Sequence, residues 1–153
     1  MKIIAIYGVG DSGKTTAIKR FFNKYVNEDY GFEDVVDQSK ENCKDILITA
    51  KYGDIKVGVS SQGDSDYFVN KALDAFAECD IVICACRTKG GSEQALEAKA
   101  KMDDGHLCWL GKARISLWKG NKSVKGAEKL QERAVDDMSE MIYHAFQMLT
   151  MKE

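Results

Sequence analysis

The sequence predicts an α/β fold, a three-layer α/β/α sandwich around a mainly parallel five-stranded sheet with one antiparallel hairpin strand. Short runs rich in Ile and Val alternate with longer segments whose apolar residues recur at helical spacing. Strands that alternate with helices form parallel sheets with helices packed on the faces. The chain has 153 residues, a length that suits one domain, and no repeat or linker-like tract divides it. We therefore expect residues 1–153 to form a single domain.

The first strand and helix are predicted at the N-terminus. Lys2–Tyr7 is a continuous apolar run, typical of a strand buried on both faces. Within Lys14–Val26 the apolar residues fall at helical spacing, which indicates a helix. Asn27–Asp45 is polar and acidic without a clear period, so we expect a long loop or irregular segment, and such segments often carry function.

An antiparallel hairpin and three further pairs of elements complete the prediction. The hairpin joins Ile46–Tyr52 to Ile55–Val59 across Gly53-Asp54, a short link that contains glycine. A helix follows over Asp64–Glu78, for which Asp64 or Ser65 is the expected N-cap. The remaining elements are a buried strand at Ile81–Cys86, a helix at Gly91–Met102 capped by Ser92, a last strand at Ala113–Trp118, and a long closing helix at Val124–Met151.

Composition narrows the class of protein. The net charge is −2, 44% of residues are hydrophobic and 30% are charged, which is neither a disordered nor a membrane composition. The near-neutral charge gives no general reason to expect nucleic acid as the main partner, and no apolar run approaches the length of a membrane span. The N-terminus enters a strand pattern after one lysine, so we expect no signal peptide. Five cysteines without paired spacing indicate reduced thiols in a cytoplasmic protein.

The loop after the first strand carries the clearest chemical signal. The stretch GVGDSGKT at residues 8–15 matches the pattern G-x-x-x-x-G-K-[ST] at every fixed position. Glycines let the backbone curl so that successive N–H groups point at an anion, aided by the positive end of the following helix. Lys14 is expected to reach the β- and γ-phosphates of a nucleotide, and the Thr15 hydroxyl is expected to bind Mg²⁺.

With this motif between a buried strand and a helix, the chain resembles the P-loop NTPase superfamily. The resemblance rests on Lys2–Val26 and implies a nucleoside triphosphate, ATP or GTP, together with Mg²⁺. It names no subfamily. The predicted nucleotide-binding residues are Gly8, Gly10, Asp11, Ser12, Gly13, Lys14, Thr15 and Thr16.

In parallel sheets the ligand lies beyond the carboxyl ends of the strands, which selects further candidates. The residues after Val59 resemble the D-x-x-G pattern of small GTPases with Ser60 in place of the aspartate. Ser60 is expected to hold a metal-bound water but adds no negative charge. Gln62 is a candidate for orienting an attacking water, although it precedes the glycine instead of following it. Asp64 is the nearest carboxylate and a candidate metal partner, with capping of the next helix as the alternative.

Two later segments bear on catalysis and on base specificity. Arg87, after the strand Ile81–Cys86, is the best-placed cation for charge on a transferred phosphoryl group, with a surface ion pair as the alternative. Asn121-Lys122 resembles the start of the guanine-reading motif N-K-x-D, but Val124 stands at the carboxylate position. This departure favours ATP over GTP.

Three functions remain open on the sequence. The first is a small Mg²⁺-dependent NTPase, which acts as a nucleotide switch or as the ATPase component of an assembly. The second is a small-molecule or nucleotide kinase, although the chain lacks the arginine-rich lid that such kinases carry. The third is a non-catalytic nucleotide-binding module that works through a protein partner or through self-association.

Overall fold

The computed structural model describes residues 1–28, 30–103, 105–112, 118–119, 122–123 and 127–151. These residues form an α/β fold with a six-stranded mixed sheet, a small two-stranded ribbon and four α-helices. The strands are β1 (Lys2–Tyr7), β2 (Phe32–Asp37), β3 (Leu47–Tyr52), β4 (Ile55–Ser60), β5 (Ile81–Cys86), β6 (Leu107–Gly111), β7 (Trp118–Lys119) and β8 (Lys122–Ser123). The helices are α1 (Lys14–Phe21), α2 (Asp66–Ala75), α3 (Gly91–Met102) and α4 (Ala127–Thr150).

The prediction of five strands is wrong, because the main sheet has six in the order β2-β3-β4-β5-β1-β6. Strand β2 lies inside the segment that was expected to be a loop, and β6 lies in a stretch without a clear pattern. Both occupy an edge of the sheet, and β2 buries only Phe32. Strand β2 is mostly polar and exposed, so hydrophobic pattern does not reveal it, whereas β6 is a short apolar run, Leu107–Gly111, that the sequence analysis did not assign. Of the predicted strand Ala113–Trp118, residues 113–117 lie outside the described part of the chain.

The sheet is mainly parallel, as predicted, and β3 is its antiparallel strand. It pairs with β4 from Leu47↔Ser60 to Tyr52↔Ile55, which confirms the predicted hairpin. Strands β4, β5, β1 and β6 run in one direction. Strand β5 lies between β4 and β1, so the segment after β5 is the direct neighbour of the loop after β1.

Alternating side chains of the central strands feed two hydrophobic cores on opposite faces of the sheet. On β5, Ile81, Ile83 and Ala85 enter one core, whereas Val82, Cys84 and Cys86 enter the other. Helices α1 and α4 pack on each other over the first core, and α2 and α3 pack on each other over the second. The sheet is thereby held on both faces, and its carboxyl edge is left for the loops.

All four predicted helices are present, and α3 has the predicted bounds, but some ends and caps differ from the prediction. Helix α1 gives way to a π-helical segment, Phe22–Val26, that completes the predicted length. Helix α2 is capped by Ser65, whose hydroxyl accepts a hydrogen bond from the Phe68 N–H, so Asp64 is not the N-cap. Helix α3 has Gly90 at its N-cap position, whereas the predicted cap Ser92 instead accepts from the Arg87 N–H. The closing helix runs over Ala127–Thr150; residues 124–126 lie outside the described part of the chain.

Within the described ranges, no helix combines the length and the hydropathy needed to cross a membrane.

Candidate functional site

The loops that follow the parallel strands enclose a cleft of about 870 Å³ at the carboxyl edge of the sheet. Its lining includes most of the loop after β1 and both charged residues predicted from later strands, Asp64 and Arg87. The described lining residues are Gly10, Asp11, Ser12, Gly13, Lys14, Thr15, Thr16, Lys19, Lys44, Asp45, Ser61, Gly63, Asp64, Ala85, Arg87 and Gln131. A mixture of Lys, Arg and Asp side chains around a loop of backbone N–H groups suits an anion that carries a metal ion.

The loop after β1 is tightly curled and depends on its glycines. Gly13 has φ +88° and Asp11 has φ +56°, both in the left-handed region. A Cβ at Gly8 would collide with the backbone carbonyl oxygen of Lys112 and lie 2.7 Å from the Ser12 Oγ. The close approach of β1 and the end of β6 therefore excludes any side chain at position 8.

Lys14 is folded over this loop and is only 8% exposed. Its Nζ donates to the carbonyl oxygens of Gly8, at 2.7 Å, and Val9, at 2.8 Å. Burial lowers the pKa of Lys14 below its ordinary value of 10.5; the Asp64 carboxylate opposes that shift, and Arg87 adds to it. The ammonium thus lies at the floor of the cleft, where it donates to two backbone carbonyl oxygens and, within the described part of the chain, to no carboxylate.

Ser12 and helix α4 complete the wall beside the loop. Ser12 is fully buried, and among the atoms of the described residues its Oγ has no hydrogen-bond partner. Its backbone carbonyl accepts from the Nε2 of Gln131, which ties α4 to the loop at 3.1 Å. A buried hydroxyl without a partner is costly, and an anion in the loop is a natural acceptor for it.

Asp45 was not among the candidates predicted from the sequence, yet it lies against Thr15. The Thr15 Oγ1 donates to the Asp45 Oδ1 at 3.4 Å, and the Ser61 Oγ donates to the same oxygen at 2.8 Å. Asp45 precedes β3, and β3 runs antiparallel to its neighbour β4. The start of an antiparallel strand shares an edge with the ends of the parallel strands. The predicted hairpin therefore contained the signal that would have found Asp45.

Arg87 and Asp64 form an ion pair in the lining of the cleft. The Arg87 Nη2 donates to the Asp64 Oδ1 at 3.1 Å, and both side chains are exposed. The guanidinium also lies over the loop, since a Cβ at Gly10 would be 3.7 Å from the Arg87 Nη1. Arg87 is thus placed beside the loop and held there by one carboxylate.

Ser60 and Gln62 are not brought into the cleft in the same way. Ser60 is fully buried, and its Oγ accepts from the Gln62 N–H at 3.2 Å, a contact within its own turn. Neither residue is among the described residues that line the cleft, whereas Ser61 between them is. The chain direction at the end of β4 therefore presents Ser61 and Asp64 to the cleft.

Other predicted features lie elsewhere or outside the described residues. Asn121 and Val124, which bear on base specificity, are not described.

No protein-family model, no curated protein and no solved structure matches the chain.

Proposed function

We propose that this protein binds a nucleoside triphosphate with Mg²⁺ and hydrolyses it, as a P-loop NTPase with a three-layer α/β/α fold. One observation carries the proposal. The motif GVGDSGKT forms a curled loop between β1 and α1, with the Lys14 ammonium at the floor of a cleft. Loop, lysine and helix N-terminus together are the arrangement that binds the phosphates of a nucleotide.

The residues present fit a triphosphate. The orphaned Ser12 hydroxyl and the buried Lys14 ammonium are both donors at the loop, and both favour an incoming anion. Lys19, Lys44 and Arg87 add positive charge around the same cleft. Its volume of about 870 Å³ lies within the range of ligand pockets and is ample for a nucleotide.

We assign each residue of the cleft a separate role in the reaction. The loop N–H groups and Lys14 hold the phosphates in one orientation, and Thr15 offers its hydroxyl to the metal. Mg²⁺, when bound, neutralises charge on the phosphate oxygens. Arg87 stabilises the negative charge that builds on the transferred phosphoryl group, because its guanidinium lies over Gly10 of the loop. Asp64 positions that guanidinium through the ion pair.

ATP is proposed as the nucleotide in preference to GTP. The support is in the sequence, where Val124 replaces the carboxylate that would pair with guanine. A comparison of ATP and GTP as substrates tests this choice.

A small-molecule or nucleotide kinase is the second candidate. The observation that favours it is the exposed Asp64 carboxylate, which lines the cleft beside Arg87 and is not used as a helix cap. A carboxylate in that place can accept the proton of an acceptor hydroxyl. A kinase would transfer the γ-phosphate to a compound instead of to water.

The test measures the fate of the γ-phosphate of labelled ATP in the presence of Mg²⁺. We expect release of inorganic phosphate by the wild-type protein and none above background by Lys14→Ala, with circular dichroism as the check that the variant is folded. Transfer of label to a member of an acceptor panel would replace the hydrolase with the kinase. If ATP and GTP are bound but neither product forms, the protein is a binding module.

A further inference from the structure

We infer that Asp45 supplies the carboxylate for the Mg²⁺ of the bound nucleotide, together with the Thr15 hydroxyl. The inference rests on the proposed function and assigns a residue that the motif does not contain. Mg²⁺ in nucleotide sites is held by one or two carboxylates plus substrate phosphates, and a hydroxyl alone brings no negative charge. The site therefore needs an acidic residue beside Thr15.

The distances around Asp45 fit such a role. Each Mg–O bond is about 2.1 Å in an octahedron, so neighbouring ligand oxygens lie about 3 Å apart. The Thr15 Oγ1 and the Asp45 Oδ1 are 3.4 Å apart. The two oxygens thus already lie near the separation of adjacent metal ligands, and only a small movement is needed.

The other carboxylates of the cleft are less suited. Asp64 is already paired with the Arg87 guanidinium at 3.1 Å. Asp11 lies on the loop itself in the left-handed conformation and is exposed. The Thr15 hydroxyl donates its hydrogen bond to Asp45 and not to Asp64 or Asp11.

Ser61 is the positioning residue for Asp45. Its Oγ donates to the Asp45 Oδ1 at 2.8 Å and accepts from the Ile46 N–H at 3.0 Å. The Ser61 N–H in turn donates to the Ile46 carbonyl oxygen at 3.1 Å. The end of β4 and the start of β3 are thereby fastened together, and the carboxylate is held towards α1.

The unpartnered Ser12 hydroxyl is a second, independent observation, in the loop that leads to Thr15. It is fully buried, lines the cleft and precedes Lys14 by two residues. A hydroxyl and a lysine together recognise an oxyanion, so this unpartnered donor favours an anion in the loop. A metal site at Thr15 and Asp45 would lie beside that anion.

The test distinguishes an effect of Asp45 on metal binding from an effect on nucleotide binding. ATP is titrated calorimetrically into the wild-type protein, Asp45→Asn and Asp54→Asn, with Mg²⁺ and with EDTA. Asp54 is the matched control, since it is an exposed aspartate in the turn between β3 and β4. We expect Mg²⁺ to increase the affinity of the wild type and of Asp54→Asn for ATP. In Asp45→Asn the factor by which Mg²⁺ increases the affinity should be at least about tenfold smaller. With EDTA, Asp45→Asn should bind ATP as well as the wild type or better, because a negative charge beside the phosphates has been removed.

A second readout uses Mn²⁺ in place of Mg²⁺. Electron paramagnetic resonance counts the bound metal in the presence of ATP, and we expect tight Mn²⁺ binding in the wild type and a clear loss in Asp45→Asn. Ser61→Ala should fall between the two, because the carboxylate remains but is no longer held in place.

The outcomes are distinguishable. An unchanged Mg²⁺ effect in Asp45→Asn overturns the assignment and leaves the proposed function standing. Equal weakening with Mg²⁺ and with EDTA also overturns it, since Asp45 would then only support the fold. If the wild type binds neither ATP nor GTP under any condition, the proposed function fails and the metal assignment fails with it.

Discussion

At the scale of single residues, Lys14 combines the strongest sequence signal with the most unusual environment. Its ammonium is buried against the loop carbonyls, and its pKa is lowered from 10.5 mainly by that burial. A phosphate in the loop favours the charged form, so it raises the pKa of Lys14 in the complex. The proposed function therefore couples nucleotide binding to protonation of Lys14.

This coupling predicts a pH dependence of nucleotide affinity. The affinity for nucleotide is highest at pH values below the lowered pKa of Lys14 in the free protein. It falls as the pH rises through that pKa, so the loss begins below pH 10.5. Calorimetric titrations of Mg-ATP at increasing pH measure it. Lys14→Arg is the control, because a guanidinium stays protonated throughout the range and its weaker binding should not decline in the same way. Equal declines in both proteins would contradict the assignment to Lys14.

Arg87 gives a second prediction at this scale. Its ion pair with Asp64 is exposed, and exposed pairs contribute little to folding, so Arg87→Ala should change the free energy of unfolding by no more than about 0.5 kcal/mol. The rate of ATP hydrolysis should fall about 100-fold, as expected for loss of a group that stabilises transition-state charge. Denaturant titration and phosphate release measure the two quantities. An undiminished hydrolysis rate would remove Arg87 from the catalytic residues.

At the scale of elements, the loop after β1 is shaped by what surrounds it. The end of β6 approaches it from one side, and α4 reaches it through Gln131. Helix α1 begins at Lys14, so the loop runs directly into the helix N-terminus, where we propose that the phosphates bind. The sheet and both helices therefore fix the loop before any ligand arrives.

Two glycines of this loop are expected to respond differently to substitution. Gly8→Ala places a Cβ against the backbone of Lys112 and should destabilise the protein by about 1–3 kcal/mol. Gly10→Ala meets only the flexible Arg87 side chain, 3.7 Å away, so its effect on the free energy of unfolding should stay within about 0.5 kcal/mol. Urea denaturation measures both variants. Equal stability of the two would show that β6 does not approach the loop as described.

The elements that the sequence predicted are those with strong periodicity. Strands β1, β3, β4 and β5 and the helices are amphipathic or fully buried, so hydrophobic pattern revealed them. Strands β2 and β6 lie at the edges of the sheet and were missed. Strand β2 is mostly polar, as an edge strand can be, and β6 is an apolar run of only five residues. Ser92 was misassigned as a cap because its hydroxyl bonds the preceding turn at Arg87 instead of its own helix.

Part of the candidate site was also predictable from the sequence. The rule that ligands lie at the carboxyl ends of parallel strands pointed to Asp64 and Arg87, and both line the cleft. The same rule passed over Asp45, because β3 is antiparallel and presents its start to that edge. Whether Ser60 or Ser61 faces the cleft depends on a single residue of register at the end of β4, which sequence pattern did not resolve.

At the scale of the whole molecule, the cleft joins segments that are distant in the chain. Residues from the loop after β1, from the start of β3, from the ends of β4 and β5 and from α4 all line it. A ligand that contacts several of them binds the folded state and not the unfolded chain, so it must stabilise the fold.

We therefore expect Mg-ATP to raise the thermal midpoint. At a concentration of about 100 times the Kd, the gain is about 2.7 kcal/mol, or roughly 5–10 °C for a domain of this size. Differential scanning fluorimetry measures the shift, with Lys14→Ala at the same ATP concentration as the control. Similar shifts in both proteins would indicate binding outside the loop.

The central claim, that GVGDSGKT holds the phosphates of a nucleotide, is tested most directly by calorimetric titration of the purified protein with ATP and with GTP in Mg²⁺. We expect one nucleotide per chain, tighter binding of ATP than of GTP, and an affinity about 10- to 100-fold weaker in folded Lys14→Ala, because one charged hydrogen-bond donor is lost. Failure of the wild type to bind either nucleotide, or equal affinity in the wild type and Lys14→Ala, would contradict the claim.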